Sequence, residues 1–252
     1  MSNTSPPANP IRVIIPIYWH FNTLDVHAPC EVLSNAFFAF TPAQKSPFVI
    51  QIAAKDICEA IPAYEQVSTQ ATISFTDAQA AVERGEVDVM VVPGAGPDGM
   101  DPARANKALG DLIKAFIDGP QGRQRTLISI CTGAELVGGA GGFKGRTATT
   151  HWAALSTLAQ ICSGDDTTVV RKRWVDSGLD DKTGLQVISS GGISCGIDAC
   201  LYFVGQKLGT QMAVDIAQMM DYDWKAPHLG LQPSPSLMSI GLKPTEWTTN
   251  QW

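Results

Sequence analysis

Four short apolar runs, separated by stretches of helical character, constrain the fold of this chain more than any other feature. They are Ile11–Ile17 (IRVIIPI), Phe48–Ala54 (FVIQIAA), Val87–Val92 (VDVMVV) and Leu127–Ile130. Runs that are apolar on both faces suit strands covered on both sides, which is the situation inside a parallel sheet with helices above and below. The intervals read as helices from Leu24 to about Phe38, from Asp77 to Arg84 and from Ala103 to Ile117, with one or two short strands between Tyr64 and Ile73. After Trp152 come a helix to about Ile161, a strand over Thr168–Val175 and a strand over Leu185–Ser189, the last two arranged as a hairpin. Ser194 then caps a long helix with Ile197, Leu201, Val204 and Leu208 on one face, and a final helix covers Gln211–Met220. The expectation is an α/β fold with a mostly parallel central sheet sandwiched between helices.

At 252 residues and 44% hydrophobic content the chain can bury one full core. Residues 1–10, polar and proline-rich, read as a disordered leader, residues 11–220 as a single domain, and residues 221–252, with Trp247 and Trp252, as an irregular tail. A net charge of -6 offers no footprint for nucleic acid or anionic membrane, so the expected partner is a small-molecule substrate. No apolar run reaches the roughly 18 residues of a membrane span and no signal core precedes the first strand, which points to the cytoplasm. The six cysteines, Cys30, Cys58, Cys131, Cys162, Cys195 and Cys200, form no C-x-x-C pair and read as reduced thiols. Neither a P-loop nor a G-x-G-x-x-G run is present, and no histidines stand at metal-ligand spacing, so no cofactor and no metal are expected.

The chemistry must then come from side chains, and Cys131 stands where it would be used. Leu127, Ile128 and Ile130 make a strand, and Thr132 to Val137 begin a helix. A cysteine at a strand-to-helix junction faces unpartnered helix N–H groups, which would lower its pKa and make it a nucleophile. The other reading is an ordinary core cysteine. Two further loops end at the carboxyl edge of the sheet, where ligands of parallel sheets bind. One is the aromatic stretch Tyr18-Trp19-His20-Phe21, followed by Asp25; the other is Pro93-Gly94-Ala95-Gly96. Asp25 reads either as a helix cap or as an acid whose pKa burial beside Trp19 and Phe21 would raise.

The runs LDVHAPCEVL, VVPGAG, SICTGAELVGGAGGFKGRTATTHWA and GGISCGIDACLYFV together resemble the ThiJ/PfpI superfamily, related to class I glutamine amidotransferases. The resemblance covers about residues 11 to 210 and is nearest to the isonitrile hydratase branch. It implies a flavodoxin-like three-layer sandwich, Cys131 as nucleophile, Asp25 as the acid beside it, and Thr132 as the residue after the nucleophile. It also implies backbone donors at Gly94 and Ala95 in the Gly94–Gly96 loop, an approach of His151 to the cysteine, and a homodimer. The implied reaction is hydration of an isonitrile to an N-substituted formamide. The alternatives are a glyoxalase or deglycase acting on α-oxoaldehydes, and a cysteine-based sensor of oxidants or electrophiles. Thr132 in place of a histidine speaks against the peptidase branch, and no histidine has a glutamate two residues on, which speaks against glutaminase chemistry.

Overall fold

A computed structural model describes residue 7, residues 9–36 and residues 46–224. Most of the expected leader, the stretch toward Phe38, and the tail beyond Trp224 with His228, Trp247 and Trp252 lie outside the described residues. The chain begins with β1 (Ile11–Pro16), α1 (Thr23–Ser34) and β2 (Phe48–Ala54). A small antiparallel pair, β3 (Ala60–Pro62) and β4 (Ser68–Gln70), leads to β5 (Ile73–Ser74) and α2 (Phe75–Glu83). Next come β6 (Val89–Val92), α3 (Met100–Ala105), α4 (Lys107–Asp118), β7 (Arg125–Ser129) and α5 (Gly133–Gly139). The last third holds β8 (Thr147–Ala148), a 3-10 turn over Trp152–Ala154, α6 (Leu155–Ile161), β9 (Thr168–Val169), β10 (Trp174–Asp180), β11 (Leu185–Ser190), α7 (Ser194–Leu208) and α8 (Thr210–Met219).

Seven strands form the central sheet in the order β10-β11-β7-β6-β1-β2-β5. Every neighbouring pair is parallel except β10 with β11. The helices fall into two packed groups, α1 with α7 and α8, and α2 with α4, where α4 and α3 also meet α5. This is the sandwich expected from the alternating apolar runs, and β6, β7 and β11 are buried along their whole length as central strands must be. From β1 the chain proceeds outward to β2 and β5, then returns to the other side of β1 as β6. That reversal opens a crevice at the carboxyl ends of β1 and β6, where helices leave in opposite directions.

Several boundaries differ from the sequence reading for local reasons. The helix expected over residues 103–117 is two helices, because Asn106 adopts an extended ψ of 94° and caps α4 by accepting from the Leu109 N–H at 3.2 Å. The hairpin is β10 with β11, whereas Thr168–Val169 pairs with β8. Ser194 is the first residue of α7 and not its cap; Ile193 holds the cap position.

Arg125 secures the lower end of β7. It is fully buried, and its guanidinium donates to the carbonyls of Phe116 and Ile117 at the end of α4 and to those of Pro120, Arg123 and Thr183. Backbone carbonyls in a buried place need donors. Arg125→Met therefore leaves a cluster of acceptors unpaired, and we expect a loss of about 3 kcal/mol or more in urea unfolding, with the slope unchanged. A loss under about 0.5 kcal/mol, the scale of an ordinary surface substitution, would show that water replaces the guanidinium freely.

Candidate active site

Cys131 lies two residues beyond β7 and two before α5, and its backbone is held in the left-handed region with φ of 56°. A non-glycine residue adopts that conformation only when its surroundings impose it. Here they do. The Cys131 N–H donates to Gly191 O at 3.1 Å, and its carbonyl accepts from the Thr150 hydroxyl at 2.8 Å. The neighbouring Ile130 N–H donates to Val92 O at 2.9 Å, which ties the end of β7 to the end of β6. The side chain is thus turned to the crevice with only 6% of the residue exposed.

Asp25 approaches from the first turn of α1. It is completely buried, and its Oδ2 accepts from the Gly94 N–H at 2.9 Å. Oδ1 is buried with no hydrogen-bond partner within ordinary limits. Asp25 is not the helix cap: Asn22 holds that position and accepts the Asp25 N–H at 3.3 Å. Burial raises the Asp25 pKa to about 7, opposed by the Gly94 amide, reinforced by the charge of Glu65, and opposed in turn by the Cys131 thiol.

The cysteine is not the low-pKa thiolate that its place before a helix suggested. Burial raises its pKa to about 12, and the Asp25 charge adds to the shift. The N–H groups of Thr132 and Ile193 and the Thr132 hydroxyl pull the other way, without overcoming it. The helix that follows has seven residues, too short a dipole to offset desolvation of a thiolate beside a carboxylate. Near neutral pH Cys131 therefore keeps its proton while Asp25 is close to its midpoint.

The loop after β6 is built into this pair. Thr132 Oγ1 accepts from the Ala95 N–H at 3.0 Å, Asn22 N–H donates to Gly94 O at 2.9 Å, and the Gly96 N–H donates to His20 O at 3.0 Å. The amides of Gly94, Ala95 and Gly96 are thus occupied within the protein, and the donors that face the sulfur are those of Thr132 and Ile193. A Cβ on residue 94 would come within 2.5 Å of Thr132 Oγ1, so only glycine allows the loop to pass between Asp25 and Thr132. Ile193, β-branched yet at φ of 47°, carries its own strain to present that N–H.

The remaining expected residues do not all line the crevice. Phe21 is wholly buried and bridges to Ala95, so it belongs to the core and not to an accessible lining. Trp19 is 45% exposed and stacks on His20, whose Nδ1 lies 2.9 Å from Asp98. The His151 ring lies against Gly192, where a Cβ would meet it at 2.3 Å, and its Nδ1 accepts from the Ala153 N–H at 3.4 Å. Among the described hydrogen bonds none joins His151 to Cys131. Trp152 beside it is 67% exposed.

Four residues of this neighbourhood make contacts that the sequence reading did not anticipate. The Glu65 carboxylate accepts from the Thr23 N–H and hydroxyl and from the Asn22 amide, fixing the start of α1. Tyr18 is buried with its hydroxyl on Pro93 O at 2.7 Å. Glu135, buried in α5, pairs with Arg104, and Ile193 faces the sulfur as described. Glu65 lies some forty residues from the helix it anchors, and nothing in its local sequence marks it. Cavities of about 380 and 440 Å3 lie elsewhere, one by Arg125, Asp176 and Lys207 and the other by Lys55 and Asn106. Among the described residues no group of three or more His, Cys, Asp or Glu side chains could hold a metal ion, and no helix is long and apolar enough to cross a membrane.

A strained cysteine at a strand-to-helix turn, facing a buried carboxyl across the crevice of a parallel sheet, defines a class of cysteine-centred α/β proteins. Residues 11–197 match the DJ-1/PfpI family, and the chain belongs to it. It is 31% identical over 162 residues to a Streptomyces lividans protein described as an uncharacterized protein in the cpoL 5′ region, covering 62% of this chain and 97% of that one. It is also 31% identical over 139 residues to the isonitrile hydratase of Pseudomonas putida, covering 54% of this chain and 52% of that enzyme, about half the length of each. Among solved structures, a THiJ/PfpI family protein from Pseudomonas syringae superposes with a TM-score of 0.70 at 20% identity, over 89% of this chain and 80% of that one. Oxidized DJ-1 of Toxoplasma gondii superposes with 0.63 at 17% identity, over 85% and 100%. At these identities the structural likeness bears on the fold.

The buried carboxyl gives stability a distinctive pH dependence. The Asp25 pKa is raised from 3.8 to about 7 in the folded state. The folded protein therefore keeps a proton that the unfolded chain releases, and the stability linked to it is full below 3.8 and lost as pH rises through about 7. Asp25→Asn, permanently neutral, should be more stable than the parent above pH ~8 by several kcal/mol on the order-of-magnitude scale of the shift, and the gain should vanish toward pH ~4. Parallel melting curves at the two pH values check this; a pH-independent difference would mean that Asp25 does not titrate as described.

Proposed function

We propose that this protein is an enzyme that adds water to an isonitrile, giving an N-substituted formamide, with Cys131 as nucleophile and Asp25 as proton carrier. The observation that carries the reading is the pairing of a poorly exposed thiol with a buried carboxyl that has one oxygen bonded to Gly94 and the other unpartnered. A carboxyl near neutral pKa can take a proton from a thiol and return it within one cycle. The isonitrile hydratase of Pseudomonas putida, which matches about half of this chain, also supports this reading.

In the first half-reaction the ionised Asp25 accepts the Cys131 proton as sulfur attacks the terminal carbon of the isonitrile, and the carboxyl then delivers that proton to the same carbon. The product is a thioimidate, with a new C–S bond and a C–H bond. In the second, water adds to the thioimidate carbon, with Asp25 taking one water proton and passing it to nitrogen. The tetrahedral intermediate collapses by breaking the C–S bond, its hydroxyl proton goes to sulfur through Asp25, and the formamide leaves. The N–H groups of Thr132 and Ile193 are placed to stabilise charge at the sulfur. Cys131 is only 6% exposed, which suits attack on a small, linear isonitrile carbon. A homodimer and a cytoplasmic location complete the proposal, the first checked by sedimentation equilibrium.

The reading favours catalysis over oxidant sensing, since a thiol whose pKa is raised to about 12 is a poor target for peroxide. The test is to supply cyclohexyl isocyanide and follow formamide, with methylglyoxal in parallel. We expect turnover of the isocyanide, abolished in Cys131→Ala and reduced by about 10²–10⁴ in kcat in Asp25→Asn. The kcat/KM should rise with pH and level off above about 7, as the first proton leaves the pair. Turnover of methylglyoxal alone assigns the site to α-oxoaldehydes, and turnover of neither removes the enzymatic reading.

A further inference from the structure

The Pro93–Gly94 peptide is gripped at both ends by side chains. The Tyr18 hydroxyl donates to its carbonyl oxygen at 2.7 Å, and its N–H donates to Asp25 Oδ2 at 2.9 Å. Tyr18 is only 4% exposed, so water does not compete for either position. A peptide whose carbonyl accepts a strong hydrogen bond becomes a better donor at its N–H, because the two bonds polarise the same π system. The next peptide is fixed independently, its carbonyl by the Asn22 N–H and its N–H by Thr132, so the first cannot tilt to relieve a change at one end.

We propose that Tyr18 is a positioning residue for Asp25, acting through the Pro93–Gly94 peptide to aim and strengthen the single amide that holds the carboxylate. The groups that face Asp25 make this contact decisive. Glu65, from the loop between β3 and β4, adds negative charge; the Cys131 thiol contributes one weak favourable contact; Cys195 of α7 and Tyr18 itself are uncharged acids within its field. Glu135 of α5 acts on Tyr18 in the same unfavourable sense, and the leading influences on the Asp25 carboxyl among the described residues are burial, the Gly94 amide, Glu65 and Cys131. The Gly94 amide is thus the main element favouring the ionised form, and what weakens it passes directly to Asp25. The proposal rests on Asp25 as proton carrier for its catalytic consequence, but its geometry can be tested without substrate.

The experiment titrates the Asp25 carboxyl in the full-length protein by infrared difference spectroscopy, with Asp25→Asn as the blank that identifies the band. Tyr18→Phe, which deletes one oxygen, should raise the midpoint by about half a unit or more. Placing 3-fluorotyrosine at position 18 makes the phenol a stronger donor and should move the midpoint down, so the two changes carry opposite signs even if both lower the melting temperature. In a working enzyme the rise of kcat/KM with pH should shift with the midpoint, while KM stays near its parent value. Midpoints that stay fixed, or that move in the same direction in both proteins, overturn the relay and leave Tyr18 a packing residue. An absence of isonitrile turnover overturns the proposed reaction without touching this titration.

Discussion

The hydrogen bond from the Gly94 amide to the buried Asp25 carboxyl is the contact on which the site depends. It joins the loop after β6 to the first turn of α1, and it crosses the crevice opened where the sheet reverses direction on either side of β1. An ionised carboxylate left without that donor would be a buried, uncompensated charge, costly by several kcal/mol. Around it the loop is stitched to Thr132, Asn22, His20 and Tyr18 by backbone and side-chain hydrogen bonds, which fix the surroundings of Cys131 and Asp25.

Burial sets the chemistry of the pair more than the helix does. Taking both groups from water raises both pKa values, and the negative charge of one raises the other further. The resting state at neutral pH is a protonated thiol with a carboxyl near its midpoint, and nucleophilic character arises only when the proton crosses. Under the proposed mechanism this buried thiol is shielded from bulk oxidants and reacts only with a small substrate that enters the crevice. The strain at Cys131 and Ile193, both at positive φ, is the conformational cost of bringing sulfur and a backbone donor face to face.

Much of the architecture was legible because it follows from patterning. Apolar runs on both faces mark β1, β6 and β7, and the alternation with helices implies the parallel sheet. The family resemblance carried by LDVHAPCEVL, VVPGAG, SICTGAELVGGAGGFKGRTATTHWA and GGISCGIDACLYFV agrees with the family match over residues 11–197. Cys131 could be singled out because it closely follows β7, whereas the role of Asp25, well beyond the end of β1 and inside α1, was implied by the resemblance. What stayed hidden was set by distant contacts. Asp25 looked like a cap because no local signal shows that Asn22 takes that role while Glu65 secures it. The Cys131 pKa was misjudged because sequence shows a helix start but not how deep the thiol lies. Phe21 read as a lining residue, although its bridge to Ala95 turns it inward. The amides of Gly94 and Ala95 read as free donors, because their partners, Asp25 of α1 and Thr132 before α5, lie far away in the sequence.

The most direct measurement of the central claim is mass spectrometry of the protein quenched with acid during its reaction with cyclohexyl isocyanide. The account predicts a transient adduct with the mass of one isocyanide, located on the peptide containing Cys131 and absent when substrate is exhausted. Formamide production with no adduct at Cys131, or with an adduct confined to another cysteine such as Cys195, would contradict it.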